Sequence, residues 1–434
     1  MYIAKEVPDK VPQHIGLVGY GVSNQAMCRY LMRAGIFPTV RNEKEVSVPS
    51  GVTLVTEDYL NTTEDVIFRS PVIRPDLIKG GGIVTSECAY ALEMLKGTKI
   101  AVTGSDGKTT TSTLIYKMLL EEGRRATLCG NIGTPIIECA LNSSPDTYTV
   151  CELSSFQLLD MTPRLDTAVI TNITENHLDW HTDMREYVEA KKNILKHASH
   201  LVLNYDDEQV RALARGAHVT YFSVQDLSHT RPHAGHIVYV RDGTIYYDDV
   251  SVLSSSEIRI GGTFNVANFA CAIAAIYPSV SHDAIIRVAR TFDGVDNRMK
   301  CIKKVGGVSF IDSSIDSTPS RTIATLTAFE NEKAIVIMGG YDKHLSYAPL
   351  SRALKDIKHV ILCGENAQKI YDAIKDVTTP TLATTLPEAV KVAYSEAASG
   401  DSVILSPASA SFDMFKNYKE RAKCFKAAVD ALTD

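Results

Sequence analysis

The sequence lacks any apolar run of the ~20 residues that a membrane-spanning helix requires. Its opening segment, MYIAKEVPDKVPQH, carries charges of both signs and no apolar core, so we expect no secretory signal peptide there. The nine cysteines show no CxxC pair and no regular spacing. This pattern predicts reduced, mostly buried thiols in a cytoplasmic protein rather than a disulfide or zinc framework.

An excess of positive charge is also missing. Lysine and arginine number 45 against 51 acidic residues, for a net charge of −6. A nucleic-acid-binding protein usually presents a basic face, so we expect no nucleic-acid partner, although a local loop can still bind a small anion. The 434 residues, 45% of them hydrophobic, are typical of an ordinary globular protein with several domains.

Short apolar strands alternate with helical stretches along most of the chain. This rhythm predicts an α/β fold of three consecutive domains, at residues 1–95, 96–298 and 299–434. The first and third are expected to be Rossmann-like and the central one to resemble a P-loop ATPase. The segment HIVYVRDGTIYYDDVSVL departs from this rhythm, because its alternation and its Asp-Gly pair indicate an antiparallel hairpin.

A glycine-containing loop, TGSDGKTT, stands between the strand IAVTG and a helix. Such a loop directs backbone N–H groups and the positive end of the helix dipole at one point, where phosphates bind. Lys108 would reach the β- and γ-phosphates of ATP, and the Thr109 hydroxyl would bind Mg²⁺. The strict P-loop pattern has glycine where Val102 stands, so an ordinary strand–turn–helix with a surface lysine is the alternative. The residues expected to bind ATP here are Gly104, Ser105, Asp106, Gly107, Lys108, Thr109 and Thr110.

A second glycine turn lies near the start of the chain, at Gly19-x-Gly21-x-x-Asn24. It lacks the third glycine of a dinucleotide-binding motif, and Arg41 and Asn42 stand where an acidic residue would hold the ribose of NAD. The turn therefore favours a diphosphate-bearing sugar nucleotide, with Ser23 and the first N–H groups of the helix on the phosphates. A plain tight turn without a ligand is the alternative.

Three polar residues follow central strands or loops. Glu152 ends the strand TYTVC and is a natural Mg²⁺ ligand, because hard cations prefer oxygen. His177, in TNITENHLDWH, is by itself more typical of a structural histidine. The local pattern around Lys191 and Lys192, in EYVEAKKNIL, favours a solvent-exposed helix face.

Several of these strings together resemble the Mur ligase family, the ATP-dependent amino-acid-adding enzymes of peptidoglycan synthesis. The resemblance covers nearly the whole chain and includes TGSDGKTTT, CELSSFQL, TNITENHLDWH, EYVEAKKNIL, GGTFNVANFACAIAA and FDGVDNRM. GGYDKHLSYAPL and LSPASASFDMFKNYKERAKCF resemble the branch of the family that adds D-glutamate. The resemblance implies a cytoplasmic, monomeric ligase that joins UDP-N-acetylmuramoyl-L-alanine to D-glutamate through an acyl phosphate and consumes ATP.

The resemblance also implies roles for individual residues. Residues 1–95 would bind the UDP substrate, 96–298 ATP, and 299–434 the amino acid. Lys108, His177 and Lys191 would be catalytic, and Lys191 would be carbamylated (N6-carboxylated). One or two Mg²⁺ ions would be held by Thr109, Glu152, His177 and Lys191. Further ATP contacts would come from Asn268, Arg298 and Asp312. The UDP substrate would contact Gly21, Val22, Ser23, Arg41, Asn42 and Asn131, and the amino acid would contact Lys343, Ser411 and Tyr418.

The sequence departs from the family pattern at several positions. Phe264 and Asn297 replace histidines, and Ser314 and Asp316 stand where lysine and threonine are more familiar. An added acid at Asp316 is expected to repel a dicarboxylate. A sister ligase that adds another amino acid, such as L-glutamate, or one that extends another acid, as folylpolyglutamate synthases do, is one alternative. The first domain disfavours the folate case. A P-loop regulatory ATPase is an alternative from another class.

Overall fold

The computed structural model describes residues 14–177, 180–214, 218–229, 235–327, 329 and 333–433. They form mixed α/β structure with three separate sheets, which confirms the predicted fold class. One compact unit comprises the chain up to Glu257 with Val266–Arg290, and a second comprises Ile258–Asn265 with the chain from Thr291 onward. The domain limits at residues 95 and 298 stay predictions. Residues 1–13, for which we expected no targeting signal, lie outside the described part.

The first sheet has five parallel strands in the order β3-β2-β1-β4-β5. Its central strands are short apolar runs buried on both faces, as expected for parallel strands covered by helices. The strand order reverses beside β1, where open α/β sheets bind ligands at the carboxyl ends of their strands. The elements of this layer are β1 (Ile15–Val18), α1 (Val22–Arg33), β2 (Thr39–Arg41), β3 (Thr53–Val55), β4 (Val66–Arg69), β5 (Ile83–Thr85) and α2 (Glu87–Met94).

The second sheet has nine strands in the order β14-β13-β12-β11-β10-β9-β6-β8-β7. Strands β6 to β12 pair in parallel, and β12 to β14 form an antiparallel meander that confirms the predicted hairpin. The hairpin turns at Asp242 and Gly243, whose φ angles of 48° and 69° suit a tight two-residue turn. The strands are β6 (Thr98–Thr103), β7 (Ala126–Gly130), β8 (Tyr148–Glu152), β9 (Arg164–Ile170), β10 (His197–Asn204), β11 (His218–Phe222), β12 (His236–Arg241), β13 (Thr244–Tyr247) and β14 (Val250–Ser254).

Seven helices accompany this second sheet among the residues that the structure describes. They are α3 (Lys108–Glu121), α4 (Ile136–Leu141), α5 (Ser155–Leu158), α6 (Met184–Lys192), α7 (Glu208–Arg211), α8 (Thr263–Ile276) and α9 (His282–Thr291). Apolar side chains of α3, including Leu114 and Met118, are fully buried beneath the strands. The helix that begins at the phosphate loop is therefore held rigidly by the core of the sheet.

The third sheet has six strands in the order β15-β16-β20-β17-β18-β19. All pairs are parallel except β15–β16, an antiparallel edge that the sequence reading did not predict. The elements are β15 (Lys300–Val305), β16 (Val308–Asp312), α10 (Pro319–Leu326), β17 (Ala334–Met338), α11 (Leu350–Ala353), β18 (His359–Leu362), α12 (Ala367–Ile374), β19 (Thr381–Leu382), α13 (Leu386–Glu396), β20 (Ser402–Leu405) and α14 (Tyr418–Asp430).

None of the helices in the described part of the chain combines the length and the apolar character that a membrane crossing requires. All nine cysteines are free thiols, and seven of them are buried. The seven buried thiols serve as small apolar side chains in the core.

Candidate active site

The phosphate loop connects β6 to α3, and its shape depends on two glycines. Gly104 has a φ of 145° and Gly107 a φ of 78°, both in the region that favours glycine. A Cβ on Gly107 would lie 2.6 Å from Oδ1 of Asn268, and a Cβ on Gly104 would lie 1.9 Å from Oγ1 of Thr171. The loop therefore packs closely against Asn268, one of the residues predicted to contact ATP.

Side chains from neighbouring loops hold the phosphate loop in place. The Ser105 hydroxyl donates to the Thr174 carbonyl at 2.9 Å and lies 2.8 Å from the Tyr187 hydroxyl. The Asp106 N–H donates to Oδ1 of Asn172 at 2.8 Å. Because the Ser105 side chain points into the protein, only its backbone is left to face a phosphate. Lys108, Thr109 and Thr110 begin α3, so the N-terminus of that helix forms one end of the loop.

Two lysines converge on the phosphate loop from different helices. Lys108 Nζ donates to the carbonyls of Gly104 and Ser105, both at 2.8 Å, and Lys191 Nζ donates to the same Gly104 carbonyl at 2.7 Å. Lys191 is only 1% exposed, and its ammonium lies 4.5 Å from the centre of the Tyr187 ring. The prediction of a solvent-exposed face from the local pattern is therefore wrong for Lys191.

Burial holds the pKa of Lys191 well below its ordinary value, and the positive charge of Lys108 lowers that pKa further. Glu152 and Asp106 act in the opposite direction but do not overcome the burial. An amine with a lowered pKa is more often neutral, and a neutral amine is the nucleophile that adds to carbon dioxide to form a carbamate.

Glu152 is the last residue of β8, beside Val102 of β6 and Gly130 of β7. Its side chain is buried, and Oε1 accepts from Nδ2 of Asn131 at 2.7 Å. Within the described residues Oε2 is also buried but has no hydrogen-bond partner. A buried carboxylate oxygen without a partner is costly, and a divalent cation is one group that would satisfy it.

His177 lies beyond the end of β9, next to residues 178 and 179, which are outside the described part. It is exposed, has a φ of 57°, and its ring packs edge-on against Phe156 at 5.0 Å. Across the described ranges, no group of three or more His, Cys, Asp and Glu side chains is arranged to hold a metal. The predicted metal site has only one glutamate and one histidine, so it would need the Thr109 hydroxyl and a carbamate on Lys191 to complete it.

A partly buried hydrogen-bond network that the sequence did not predict lies beside these residues. Arg74 forms a bidentate pair with Glu186 at 2.8 and 3.0 Å and donates to the Trp180 carbonyl at 3.0 Å. The His181 ring contacts Glu186 through Nδ1 at 3.1 Å and the Ser155 hydroxyl through Nε2 at 2.9 Å. Arg74 lowers the pKa of Glu186 to about 2, and burial lowers the pKa of His181, so the carboxylate is ionised and the imidazole neutral.

The candidate sugar-nucleotide site lies at the start of α1. Gly21 precedes the helix, and Val22, which is 70% exposed, and Ser23 form its first turn. Asn24 is fully buried, and its amide donates to the carbonyls of Val18, Gly19 and Phe68 at 2.8–3.2 Å. Asn24 thus joins α1 to β1 and β4, which explains why this position is not the usual third glycine.

The two polar residues at the end of β2 are already engaged with the protein. Nε of Arg41 donates to both oxygens of Glu64 at 3.0 Å in a buried ion pair. Oδ1 of Asn42 accepts from the backbone N–H of Tyr20 at 3.0 Å and so supports the glycine turn. In this conformation both residues shape the predicted pocket by positioning its backbone.

In the second unit, the acidic residue that was expected to repel a dicarboxylate points inward. Asp316 is 5% exposed and accepts from the hydroxyls of Thr325 and Ser406, both at 2.7 Å. Burial raises its pKa, whereas nearby Arg298 lowers it. Asp312 is similarly buried and accepts from the N–H and hydroxyl of Ser314. Asp316 therefore acts as an internal hydrogen-bond acceptor.

The three residues predicted to contact the amino acid lie on different segments of the second unit. Lys343 is exposed after β17, Ser411 is buried after β20, and Tyr418 is the first residue of α14. Arg421, on the first turn of the same helix, is 2% exposed and donates to the carbonyls of Ser314, Ser409 and Ala410 at 2.8–3.1 Å. It stabilises the loop that carries Ser411.

Comparisons with known proteins agree with this geometry. The model of the Mur ligase middle domain matches residues 102–276, and that of the Mur ligase glutamate ligase domain matches residues 297–409. The chain is 40% identical over 452 residues to the UDP-N-acetylmuramoylalanine–D-glutamate ligase of Acetivibrio thermocellus, with 96% of each chain covered. It is 38% identical over 450 residues to the enzyme of that name from Clostridium perfringens, again with 96% of each covered.

Solved structures agree on the fold. UDP-N-acetylmuramate–alanine ligase from Thermotoga maritima aligns with a TM-score of 0.64 at 18% identity, covering 96% of this chain and 99% of that one. MurF ligase from the same organism, in complex with ADP, aligns with a TM-score of 0.57 at 15% identity, covering 96% and 95%. The chain belongs to the Mur ligase family.

Proposed function

We propose that this member of the Mur ligase family joins the carboxylate of UDP-N-acetylmuramoyl-L-alanine to the amine of D-glutamate, with ATP as the energy source. The relatives at about 40% identity bear the name of that reaction along essentially their whole length. The observation that carries the proposal is the pair Lys108 and Lys191 on one carbonyl of the phosphate loop. One lysine is accessible to a phosphate, and the other is buried and inclined to lose its proton.

We assign the binding of ATP to the phosphate loop from Gly104 to Thr110 and to Asn268. Backbone N–H groups at the start of α3 would receive the phosphates, and Lys108 would exchange its two loop carbonyls for the β- and γ-phosphate oxygens. Asn268 packs directly against Gly107, so it is close enough to contact the same nucleotide. Arg298 and Asp312 are proposed as further contacts of the nucleotide.

The residues present fit a bound Mg²⁺. The unpartnered Oε2 of Glu152, the Thr109 hydroxyl, His177 and a carbamate on Lys191 are the proposed ligands of one or two ions. When bound, the metal would neutralise charge on the phosphates and so favour the approach of a carboxylate. A carbamate would replace the cation of Lys191, which repels Mg²⁺, by an anionic oxygen. The lowered pKa of Lys191 supports that modification.

The reaction follows from these positions. The substrate carboxylate attacks the γ-phosphorus of ATP, so ADP leaves and an acyl phosphate forms. Lys108 stabilises the charge that develops on the transferred phosphoryl group. The neutral amine of D-glutamate then attacks the acyl carbon, loses a proton, and expels inorganic phosphate from the tetrahedral intermediate. His177 is proposed to assist at this stage by orienting the metal shell or accepting the proton.

The other substrates are assigned to the two remaining sheets. Gly21, Val22 and Ser23 at the start of α1 would bind the diphosphate of the UDP substrate, with Arg41 and Asn42 beside them and Asn131 on its muramoyl end. Lys343, Ser411 and Tyr418 would bind D-glutamate, because a lysine with a hydroxyl suits a dicarboxylate. Asp316 faces Thr325 and Ser406, which is compatible with a dicarboxylate bound nearby. We further propose that the enzyme acts as a monomer in the cytoplasm.

A phosphate-release assay with ATP, Mg²⁺ and UDP-N-acetylmuramoyl-L-alanine tests the proposal. We expect release that depends on D-glutamate within a panel of D- and L-amino acids. Preference for another amino acid would instead identify a sister ligase. Release that needs no amino acid would favour the regulatory ATPase and refute the ligase.

A further inference from the structure

We infer that Arg74, Glu186, His181 and Ser155 form a positioning relay. It fixes the segment that carries Glu152 against the helix that carries Lys191, and it connects both to the loop after β4 of the first sheet. The inference rests on the proposed function only for the identity of the two ligands whose binding the relay couples, the UDP substrate and ATP. The four relay residues are positioning residues: they act by holding Glu152 and Lys191 in place.

The direction of each hydrogen bond in the relay is determined by chemistry. The Glu186 carboxylate, paired with Arg74, is ionised and can only accept, so Nδ1 of His181 must carry the hydrogen between them. Nε2 of the neutral ring is then an acceptor, and the Ser155 hydroxyl must donate to it. His181 is 3% exposed, so water cannot readily replace either partner. One tautomer and one hydroxyl orientation therefore satisfy the whole chain of contacts.

At one end the relay positions the loop after β8. Ser155 is the first residue of α5, on the same short segment as Glu152. A capping box stiffens this segment, since the Ser154 hydroxyl accepts from the Gln157 N–H and the Gln157 side chain accepts from the Ser154 N–H. Holding the Ser155 hydroxyl consequently restricts where Glu152 can move.

At its centre the relay positions α6. Glu186 lies in the first turn of that helix and Lys191 near its end. Between them, Tyr187 contacts Ser105 of the phosphate loop at 2.8 Å, and its ring lies under the Lys191 ammonium. A rotation of α6 would move Glu186, Tyr187 and Lys191 together, so the contacts of Glu186 set the position of the Lys191 amine.

At the other end the relay reaches the first sheet. Arg74 lies in the loop after β4, the strand that borders the reversal of strand order beside β1. The same loop receives a hydrogen bond from the Trp180 indole to the Val72 carbonyl at 2.8 Å. A ligand that orders this loop would favour the bidentate Arg74–Glu186 pair and thereby order α6. Binding at the first sheet and at the nucleotide site should therefore be mutually favourable.

Calorimetric titration measures this coupling directly, without turnover. The dissociation constant of AMP-PNP with Mg²⁺ is measured with and without saturating UDP-N-acetylmuramoyl-L-alanine. We expect the UDP substrate to tighten nucleotide binding by about fivefold or more in the wild type. In Arg74→Gln and Ser155→Ala the effect should fall below about twofold, because each variant removes one link of the same relay.

Arg29→Gln is the matched control. Arg29 of α1 pairs with Glu138 of α4 at 2.6 Å, so it also joins the first layer to the second, but it contacts no member of the relay. This variant should keep the coupling of the wild type. Ser155→Ala removes a single hydroxyl, and a thermal melt confirms that each variant is folded before titration.

The outcomes separate the two levels of the proposal. Unchanged coupling in Arg74→Gln and Ser155→Ala would overturn the relay, as would equal loss in Arg29→Gln. Binding of both ligands to the wild type without coupling would overturn the relay alone. A wild type that does not bind the UDP substrate would overturn the proposed function and, with it, the identity of the ligands that the relay couples.

Discussion

Replacing Glu87 by glutamine should make the protein more stable at alkaline pH. Glu87 begins α2, is 2% exposed, and its Oε1 accepts from the Ile137 N–H of α4 at 2.6 Å. Burial raises the pKa of Glu87 from 4.5 to about 7, and neighbouring Glu138 adds to this, while hydrogen bonds from the α4 backbone oppose it. At neutral and alkaline pH the folded protein therefore holds a charge that would be better solvated in the unfolded chain.

The sign and the size of the effect follow from this raised pKa. Because the folded state binds the proton more tightly than the unfolded state, the contribution of Glu87 to stability falls as pH rises from about 4.5 to about 7. The full penalty corresponds to about 3 kcal/mol, most of which appears between pH 5 and pH 8. A carboxylate at the start of α4 gains only about 0.3–1 kcal/mol from the helix dipole, so desolvation dominates.

Glutamine keeps the acceptor oxygen and removes the charge. Calorimetric melts of Glu87→Gln and wild type at pH 5 and pH 8 test the prediction, because other titrating groups cancel in the difference at each pH. The advantage of the variant should grow by about 2 kcal/mol over this range, or by roughly 2–4 °C in melting temperature. Glu138→Gln, on the exposed face of α4, should change stability by less than about 1 kcal/mol. A Glu87→Gln advantage that is equal at both pH values, or that shrinks with rising pH, would refute the reasoning.

Three further predictions concern other ionisable side chains. Lys191→Ala should lower kcat by about a hundredfold or more with little change in melting temperature. Added formate should restore part of the activity if a carboxylate is what is missing. Full activity in the variant would exclude a carbamate. Burial lowers the pKa of His200 to about 4, so its contribution to stability is present above pH 6.5 and is lost as the pH falls toward 4. Between pH 7 and pH 5, the free energy of unfolding measured in urea melts should accordingly fall by about 2 kcal/mol less in His200→Gln than in the wild type. An equal fall in both proteins would contradict this. Arg69→Met should cost about 2–3 kcal/mol in the same melts, because it removes a fully buried guanidinium that pairs with Asp160 at 2.5 and 2.7 Å and donates to the Phe156 carbonyl at 2.9 Å. A loss below 1 kcal/mol would show that these contacts are not needed.

The sequence was most informative where a motif and a strand coincide. The phosphate loop, the antiparallel hairpin and the three α/β sheets could be predicted because glycine placement and apolar alternation reflect local backbone geometry. The edge strand β15 could not, since its sequence KCIKKV has three lysines in six residues and no alternation of apolar and polar side chains. Its strand conformation comes from pairing with β16, a tertiary contact.

In the candidate site, too, features that depend on tertiary contacts could not be predicted from the local sequence. Local sequence predicted an exposed Lys191, whereas the family resemblance predicted its role, and the structure buries it against the phosphate loop. The concern about Asp316 arose because the sequence does not show which way a side chain points; here it faces Thr325 and Ser406. The relay was missed because Arg74 is far from His181 in sequence. The Trp-His pair in TNITENHLDWH and the glutamate that begins EYVEAKKNIL were its only local signals.

The position of Trp180 has an optical consequence. It is the only tryptophan of the chain, and its ring packs 4.2 Å from Phe156 and 5.3 Å from the Arg74 guanidinium. Its indole N–H is held by the Val72 carbonyl. Fluorescence excited selectively in tryptophan therefore arises from one place, between the first sheet and the phosphate loop. The enzyme carries a built-in spectroscopic probe of that boundary, which needs no label and no engineered chromophore.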